Sequence, residues 1–170
     1  LFLAVLGLGG WMYLMMQQPK HAFKLGWVFG FGWFGFGAWW LADTFQTYGH
    51  IPYAVALIAI VGIGLVLGSI FGLWAWLFAK LYKRNSDALW LFPLLGIFIE
   101  WLRSFLFTGL PWTALANLSL DTPLAPWLSV LGSYGVTGMI LLGISAVVLL
   151  LQNHSHRLAW IAIIITAAFV

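Results

Sequence analysis

Two residues of opposite charge, Glu100 and Arg103, stand in a stretch of sequence that is otherwise apolar. A spacing of three places both side chains on one face of a helix, close enough to form an ion pair. Ionisable groups at membrane depth cost at least about 2.5 kcal/mol each on insertion scales, and they usually mark a polar cavity or a functional pathway. This pair is therefore the sharpest candidate for a functional site.

Three interpretations of the pair stay open at the level of sequence. The pair can be an internal ion pair that only holds helices together, or Arg103 can snorkel to the outer interface near Thr108. Alternatively, both charges can line the mouth of a polar or lipid cavity. A proton relay is a weaker interpretation, because no second membrane carboxylate accompanies Glu100.

Other motifs predict little chemistry. Residues 30–35 match the pattern GxGxxG, but they lie inside an apolar run, whereas a dinucleotide site needs a preceding strand and a later acidic residue. His154 and His156 have no third ligand nearby, so we expect neither a metal site nor a cofactor. The sequence also contains no cysteine, so no cysteine nucleophile can act from within this chain.

The composition fixes the class of protein that must carry these residues. The sequence has 170 residues, of which 64% are hydrophobic and 6% are charged. Ordinary soluble domains carry roughly 25% charged residues. We therefore predict a polytopic membrane protein that contacts membrane lipids, and we exclude a disordered segment and a nucleic-acid binder.

Apolar runs divide the chain into a single predicted transmembrane domain, a bundle of about six helices. The residues in these runs do not alternate between apolar and polar, so transmembrane β-strands are excluded and the fold class is all-α. The first and last runs are short, which we interpret as helices truncated at the ends of a longer protein. The predicted helices cover about residues 1–16, 22–42, 53–79, 88–107, 128–151 and 158–170.

Two sequence features predict how these helices are arranged. Small residues recur every four positions, at Gly26 and Gly30 and again at Gly64, Gly68 and Gly72, which predicts close helix packing. After the fourth helix, Gly and Pro interrupt residues 108–127 although the stretch remains mostly apolar, so we expect a re-entrant or interfacial loop at the outer face.

The basic residues predict the orientation in the membrane. Six of the seven Lys and Arg residues fall in the connections 17–24, 80–87 and 152–157, whereas the connections 43–52 and 108–127 have none. By the positive-inside rule, the three basic connections are cytoplasmic and the other two are extracytoplasmic.

Several motifs give the chain a resemblance to a known family. Gly26 to Phe34 are followed by Trp40, Tyr48-Gly49 and Pro52, and Glu100-Trp101-Leu102-Arg103 leads to Thr108-Gly109-Leu110-Pro111-Trp112. In order and spacing, this pattern resembles the membrane domain of bacterial apolipoprotein N-acyltransferase over residues 22 to about 145. His50 stands where that family usually has the second glycine of a turn, and Thr44 where it often has Ser. Histidine tolerates a positive φ better than a branched residue does, so the turn can persist.

The resemblance implies an enzyme of the bacterial inner membrane that acts in two steps. A phospholipid, chiefly phosphatidylethanolamine, acylates a cysteine, and the thioester then acylates the N-terminal S-diacylglyceryl cysteine of an apolipoprotein. The family carries its Glu-Lys-Cys triad in a nitrilase-like domain, which we expect after residue 170 of the parent protein. This chain alone would be catalytically inactive. It would anchor the enzyme and form the lipid-binding cavity, with Glu100, Arg103, Pro111 and Trp112 as candidate lipid-contacting residues at its mouth.

Two alternatives remain open. The chain can be a non-enzymatic membrane module or small transporter with a polar path at Glu100 and Arg103, or a membrane domain fused to a different partner such as a glycosyltransferase. The next stretch of the gene discriminates between them. A soluble region of about 250 residues or more with separated Glu, Lys and Cys favours the acyltransferase, and an early stop codon favours the module.

The predicted orientation is testable with a reporter enzyme that is active only outside the cytoplasm. Fusions after Gly49 and Asp121 should be active, and fusions after Arg84 and His154 should be inactive, because the basic connections stay on the cytoplasmic side. Reporter activity at Arg84 would contradict the orientation.

Overall fold

The computed structural model describes residues 2–82, 85–106 and 113–152, and for residues 85–88 the backbone alone. In these ranges the regular secondary structure is entirely helical. Short 3₁₀ helices cover Pro19–His21 and Leu115–Ser119. The α-helices in these ranges are α1 (Phe2–Gln17), α2 (Ala22–Gly37), α3 (Leu41–Gly49), α4 (Tyr53–Leu81), α5 (Asn85–Arg103) and α6 (Trp127–Leu151).

The all-α fold class predicted from the sequence is confirmed in the described residues, but one predicted segment was wrong. The stretch 22–42 was expected to be one helix, and the structure instead ends α2 at Gly37 and begins α3 at Leu41. A turn joins them, in which the Leu41 N–H donates to the carbonyl of Ala38. The length of an apolar run predicts which stretch of the chain is apolar throughout. It does not predict a change of direction within that stretch. The predicted helix 158–170 lies outside the described residues.

Helices α4 and α6 have the dimensions of membrane spans. They contain 29 and 25 residues, and both are long and apolar enough to cross a hydrocarbon core of about 30 Å. Helix α1 is apolar but has only 16 residues. Within the described residues, length and composition therefore identify two candidate spans.

Apart from the short α3, successive helices of the bundle run in opposite directions. Phe92 of α5 packs against both Phe78 and Trp74 of α4, with ring centroids 5.7 and 4.9 Å apart, while Gly96 one turn later faces Trp74 and Leu141 of α6. Helix α5 is thus antiparallel to α4 and α6. Helix α1 runs parallel to α6, because Gly9 faces Val148 and the Gln152 side chain contacts the sulfur of Met16 at 3.8 Å.

An aromatic cluster fills the centre of the bundle. Trp11 of α1 stacks on Phe29 of α2 at 4.8 Å, and its ring meets Trp74 of α4 edge-on at 4.9 Å. Phe71 of α4 contacts the same three rings at 5.5 to 5.7 Å. Offset and edge-to-face pairs of this kind contribute about 0.5–1.5 kcal/mol each beyond the area that they bury. Aromatic contacts therefore connect α1, α2 and α4 in one core.

The glycine pattern produces a close helix contact between antiparallel α2 and α4. Gly30 lies so near α4 that a Cβ atom there would be 2.7 Å from the Cβ of Phe71 and 2.9 Å from the carbonyl oxygen of Gly68. A Cβ on Gly68 would in turn be 2.9 Å from the backbone of Phe31 and of Trp27. The close packing predicted from the small residues is confirmed.

The turn after α3 explains how His50 replaces a glycine. His50 adopts φ 51° and ψ 28°, the left-handed conformation that commonly ends a helix. The following Ile51 N–H donates to the carbonyl of Phe45 at 3.2 Å, which closes the helix end. The expectation that histidine tolerates this turn is confirmed.

Replacing Gly30 by Ala tests the α2–α4 contact. The added methyl group must displace α4 backbone and Phe71, so we expect a loss of about 1–3 kcal/mol in the free energy of unfolding, as for other overpacked sites. Gly32→Ala on the same helix is the matched control, because a Cβ there meets nothing within 4 Å. Denaturant unfolding in detergent micelles measures both. Equal midpoints for the two variants would contradict the proposed contact.

Candidate functional site

Glu100 and Arg103 form a buried ion pair at the end of α5. Arg103 Nη2 donates to Glu100 Oε2 at 2.9 Å, as the spacing of three predicted. The exposed fractions of the two side chains are 3% for Arg103 and 14% for Glu100. Arg103 is thus turned into the protein, which contradicts the interpretation that it snorkels to the interface.

The pair also holds residues 113–115, which lie within the connection 108–127. Arg103 Nη1 donates to the hydroxyl of Thr113 at 2.9 Å and to its carbonyl oxygen at 3.3 Å. The other oxygen of the carboxylate, Glu100 Oε1, accepts from the backbone N–H of Leu115 at 3.2 Å. Both charges therefore bind the same short segment, which leads into the 3₁₀ helix Leu115–Ser119.

Helix α2 also contacts Thr113. Trp33 Nε1 donates to the carbonyl oxygen of Thr113 at 3.1 Å, and the guanidinium carbon of Arg103 lies 5.6 Å from the centre of the Phe34 ring. A Cβ on Gly37 would come within 2.8 Å of the Thr113 side chain, so this segment also lies close against the end of α2. We call this set of residues the Thr113 junction: Trp33, Phe34, Glu100, Arg103, Thr113 and Leu115.

The electrostatics of the junction are those of a buried pair with polar supports. Two opposite charges attract more strongly when they are shielded from water, but removing them from water is expensive unless hydrogen bonds occupy their remaining donors and acceptors. Here Thr113 supplies two acceptors and Leu115 supplies one donor. The pair can therefore position the chain at residues 113–115.

The predicted site residues divide into two groups. Glu100 and Arg103 are brought together by α5, whereas Pro111 and Trp112 lie outside the described residues. Contact of any of the four with lipid stays a prediction. His154 and His156 also lie outside the described residues, and the part of the chain that the structure describes contains no group of three or more metal-ligating residues.

Sequence reasoning missed Thr113, Leu115 and Trp33 as partners of the pair. Two signals were available. A buried Arg requires acceptors, and Thr113 is a nearby polar residue after the break at Pro111. Trp33 gave no such signal, because its indole meets Thr113 across 80 residues of chain.

Comparison with known proteins decides the family. The sequence model described as "Apolipoprotein N-acyltransferase N-terminal domain" matches residues 1–147. The chain belongs to the apolipoprotein N-acyltransferase family. Relatives named apolipoprotein N-acyltransferase include one from Coxiella burnetii, 36% identical over 126 residues, which are 72% of this chain and 26% of that protein.

Two further relatives bear the same name. The protein from Pseudomonas putida is 36% identical over 129 residues, which are 74% of this chain and 25% of that protein. The protein from Ralstonia nicotianae is 30% identical over 167 residues, which are 95% of this chain and 31% of that protein. The chain thus spans about a quarter to a third of the length of these apolipoprotein N-acyltransferases. Its bacterial relatives and the apolar helices α4 and α6 indicate a membrane protein.

Replacing Arg103 by Leu tests the junction of this N-acyltransferase-family chain. The change leaves the Glu100 carboxylate, whose side chain is 14% exposed, without its charged partner, so we expect the free energy of unfolding to fall by up to about 3–5 kcal/mol. Replacing both Glu100 and Arg103 by Leu should cost less than the single change, because no unpaired charge remains. Denaturant unfolding of the 170-residue chain in detergent micelles measures both.

Lys24→Leu is the control for this experiment, since it removes an exposed cation from α2. We expect it to change stability by less than about 0.5 kcal/mol. An Arg103→Leu variant as stable as Lys24→Leu would show that the pair does not hold the junction.

Proposed function

We propose that this chain is the membrane-embedded domain of an apolipoprotein N-acyltransferase, where it anchors the enzyme and forms its lipid-binding cavity. The match of the family's N-terminal domain over residues 1–147 is the observation that carries this proposal. The two apolar candidate spans support it, because a domain that admits phospholipid must lie in the lipid phase.

The whole enzyme would transfer an acyl chain in two steps. A cysteine thiolate attacks an ester carbonyl of phosphatidylethanolamine, so that a thioester forms and the lysophospholipid leaves. The free α-amine of the S-diacylglyceryl cysteine of an apolipoprotein then attacks the thioester, an amide forms, and the thiol is released. Covalent catalysis lets two bulky lipid substrates use one site in turn. Because this chain has no cysteine, the thiol belongs to the nitrilase-like domain proposed after residue 170.

We further propose that residues 1–170 form one domain of about six membrane-spanning helices in the bacterial inner membrane. The alternating directions of α4, α5 and α6 support a multi-pass arrangement. The C-terminal ends of α1, α4 and α6 lie at one end of the bundle, and the basic connections 17–24, 80–87 and 152–157 follow these helices in the sequence. By the positive-inside rule we propose that this end is cytoplasmic. The connections 43–52 and 108–127 then face the outer side, where the second forms a re-entrant or interfacial loop.

At that outer side the Thr113 junction would support the mouth of the lipid cavity. Pro111 and Trp112 immediately precede Thr113 in the sequence, so a fixed Thr113 limits where these two residues can lie. We propose that Trp112 and Pro111 contact the phospholipid, and that Glu100 and Arg103 act on the mouth chiefly by holding this loop. The burial of Arg103 supports an anchoring role over direct contact with a head group.

The transporter alternative is less well supported. A path for a solute past Glu100 requires an opening there, whereas one cavity that Glu100 lines in the described structure has a volume of only about 10 Å³. That volume is close to the smallest that holds one water molecule. Family membership also favours the acyltransferase over a module fused to an unrelated enzyme.

The division of labour is tested by incubating membrane-extracted protein with phosphatidylethanolamine that carries a labelled acyl chain. The complete protein encoded by the parent gene should form a hydroxylamine-sensitive acyl thioester. The 170-residue chain should form none, because it has no thiol. A thioester-type adduct on the chain alone would refute the proposal.

The same assay separates anchoring from head-group binding in the complete protein. If the pair acts by anchoring the loop, a folded variant with Leu at both positions 100 and 103 should lower the acylation rate by the same factor for phosphatidylethanolamine and for a phospholipid with another head group. Trp112→Ala should raise the lipid concentration needed for half-maximal rate, because the ring contacts the lipid. A loss of acylation confined to phosphatidylethanolamine in a normally folded double variant would instead show that the charges themselves bind the head group.

A further inference from the structure

A small internal cavity lies beside Glu100, where α1, α2, α4, α5 and α6 meet. Its volume is about 10 Å³, close to the minimum that holds one water molecule. Apolar residues, including Leu8, Phe71 and Leu141, form much of its wall. Glu100, Trp74 and Thr137 are among the residues that line the same cavity, and each of these side chains carries a polar group.

Two of these polar groups are buried without a hydrogen bond. Thr137 is 1% exposed and Trp74 is 3% exposed. Within the part of the chain that the structure describes, neither the Thr137 hydroxyl nor the Trp74 indole N–H has a hydrogen-bonding partner. A buried polar group without a hydrogen-bonding partner lowers the free energy of unfolding by about 1–3 kcal/mol. Native proteins therefore nearly always supply a partner for such a group.

The Glu100 carboxylate has the capacity to complete such a network. An ionised carboxylate offers about four acceptor positions on its two oxygens. The hydrogen bonds described above, from Arg103 Nη2 and from the Leu115 N–H, occupy two of these positions. The side chain can therefore accept a further hydrogen bond from inside the cavity.

We propose that this cavity is a binding site for one structural water molecule. The water accepts one hydrogen bond from Trp74 Nε1 and a second from the Thr137 hydroxyl. It donates a third to the Glu100 carboxylate. Three hydrogen bonds are typical of a buried water. The surrounding apolar wall and the small volume leave no room for a second molecule.

The water connects three helices that the ion pair does not join by itself. Trp74 lies on α4, Glu100 on α5 and Thr137 on α6, and a shared water fixes their polar groups relative to one another. The proposed water thereby links the Thr113 junction, through Glu100, to Trp74 on α4 and Thr137 on α6. This site is a property of the bundle and does not depend on the acyl-transfer reaction.

Magnetisation transfer from water to indole N–H groups tests the site. The 170-residue chain is labelled with ¹⁵N-tryptophan and placed in lipid nanodiscs, and Trp74→Phe assigns the Trp74 signal. Trp11 is an internal control, because its indole N–H is also buried and unpartnered in the described structure, while Trp11 is not among the residues that line the cavity. We expect transfer to Trp74 to exceed transfer to Trp11 several-fold.

Variants of Thr137 give the second measurement. Thr137→Val keeps the shape of the side chain but removes a partner of the water, so transfer to Trp74 should fall several-fold. Thr137→Ser keeps the hydroxyl and should retain the transfer. Ser145→Ala is the matched control on α6, because the Ser145 hydroxyl is buried but already donates to the carbonyl of Leu141 at 2.8 Å.

The outcomes distinguish a hydrated from a dry cavity. Equal, weak transfer to Trp74 and Trp11 in the unaltered chain would overturn the proposal. So would transfer to Trp74 that Thr137→Val leaves unchanged. If Thr137→Val does not fold, the comparison of Trp74 with Trp11 and the Thr137→Ser variant still decide the question.

Discussion

A buried charge in an apolar helix bundle must find its hydrogen-bonding partners inside the protein, because neither lipid nor a packed aromatic core can supply them. Arg103 meets this requirement through Glu100 on its own helix and through Thr113 in the connection 108–127. The hydrogen bonds that Arg103 donates therefore hold the loop segment at Thr113 in position. The carbonyl oxygen and the hydroxyl of Thr113 are the two acceptors that compensate for removing the Arg103 charge from water.

The hydrogen bonds of the Thr113 junction also depend on how α2 packs against α4. The close approach of α2 and α4 at Gly30 and Gly68 sets the position of α2. Near the end of that helix, Trp33 shares the Thr113 carbonyl with Arg103. A bulkier residue at the glycine contact would displace the indole as well as the helix. The glycine pattern and the ion pair, which look like separate features of the sequence, thus belong to one packing arrangement.

Under the proposed function, an ordered loop at the outer side would have a clear use. Two lipid-bearing substrates would be held in turn near the same thiol, and positioning groups that are already ordered when the substrate arrives lower the cost of binding. The Thr113 junction would order the loop before the lipid binds. Under the proposed function, the membrane domain contributes geometry to catalysis, while the reacting groups lie elsewhere in the protein.

Much of the outline of this protein follows from the sequence by itself. The apolar runs determine an all-helical chain, the spacing of three determines that Glu100 meets Arg103, and the small residues determine where helices approach closely. These features depend on local periodicity, which a single sequence displays. Only the tertiary structure decided that the chain turns between Gly37 and Leu41, and that Arg103 is buried against Thr113. It alone brought Trp33, Trp74 and Thr137 to Glu100 or its partners, because such contacts arise from packing between distant helices and leave no regular spacing in the sequence.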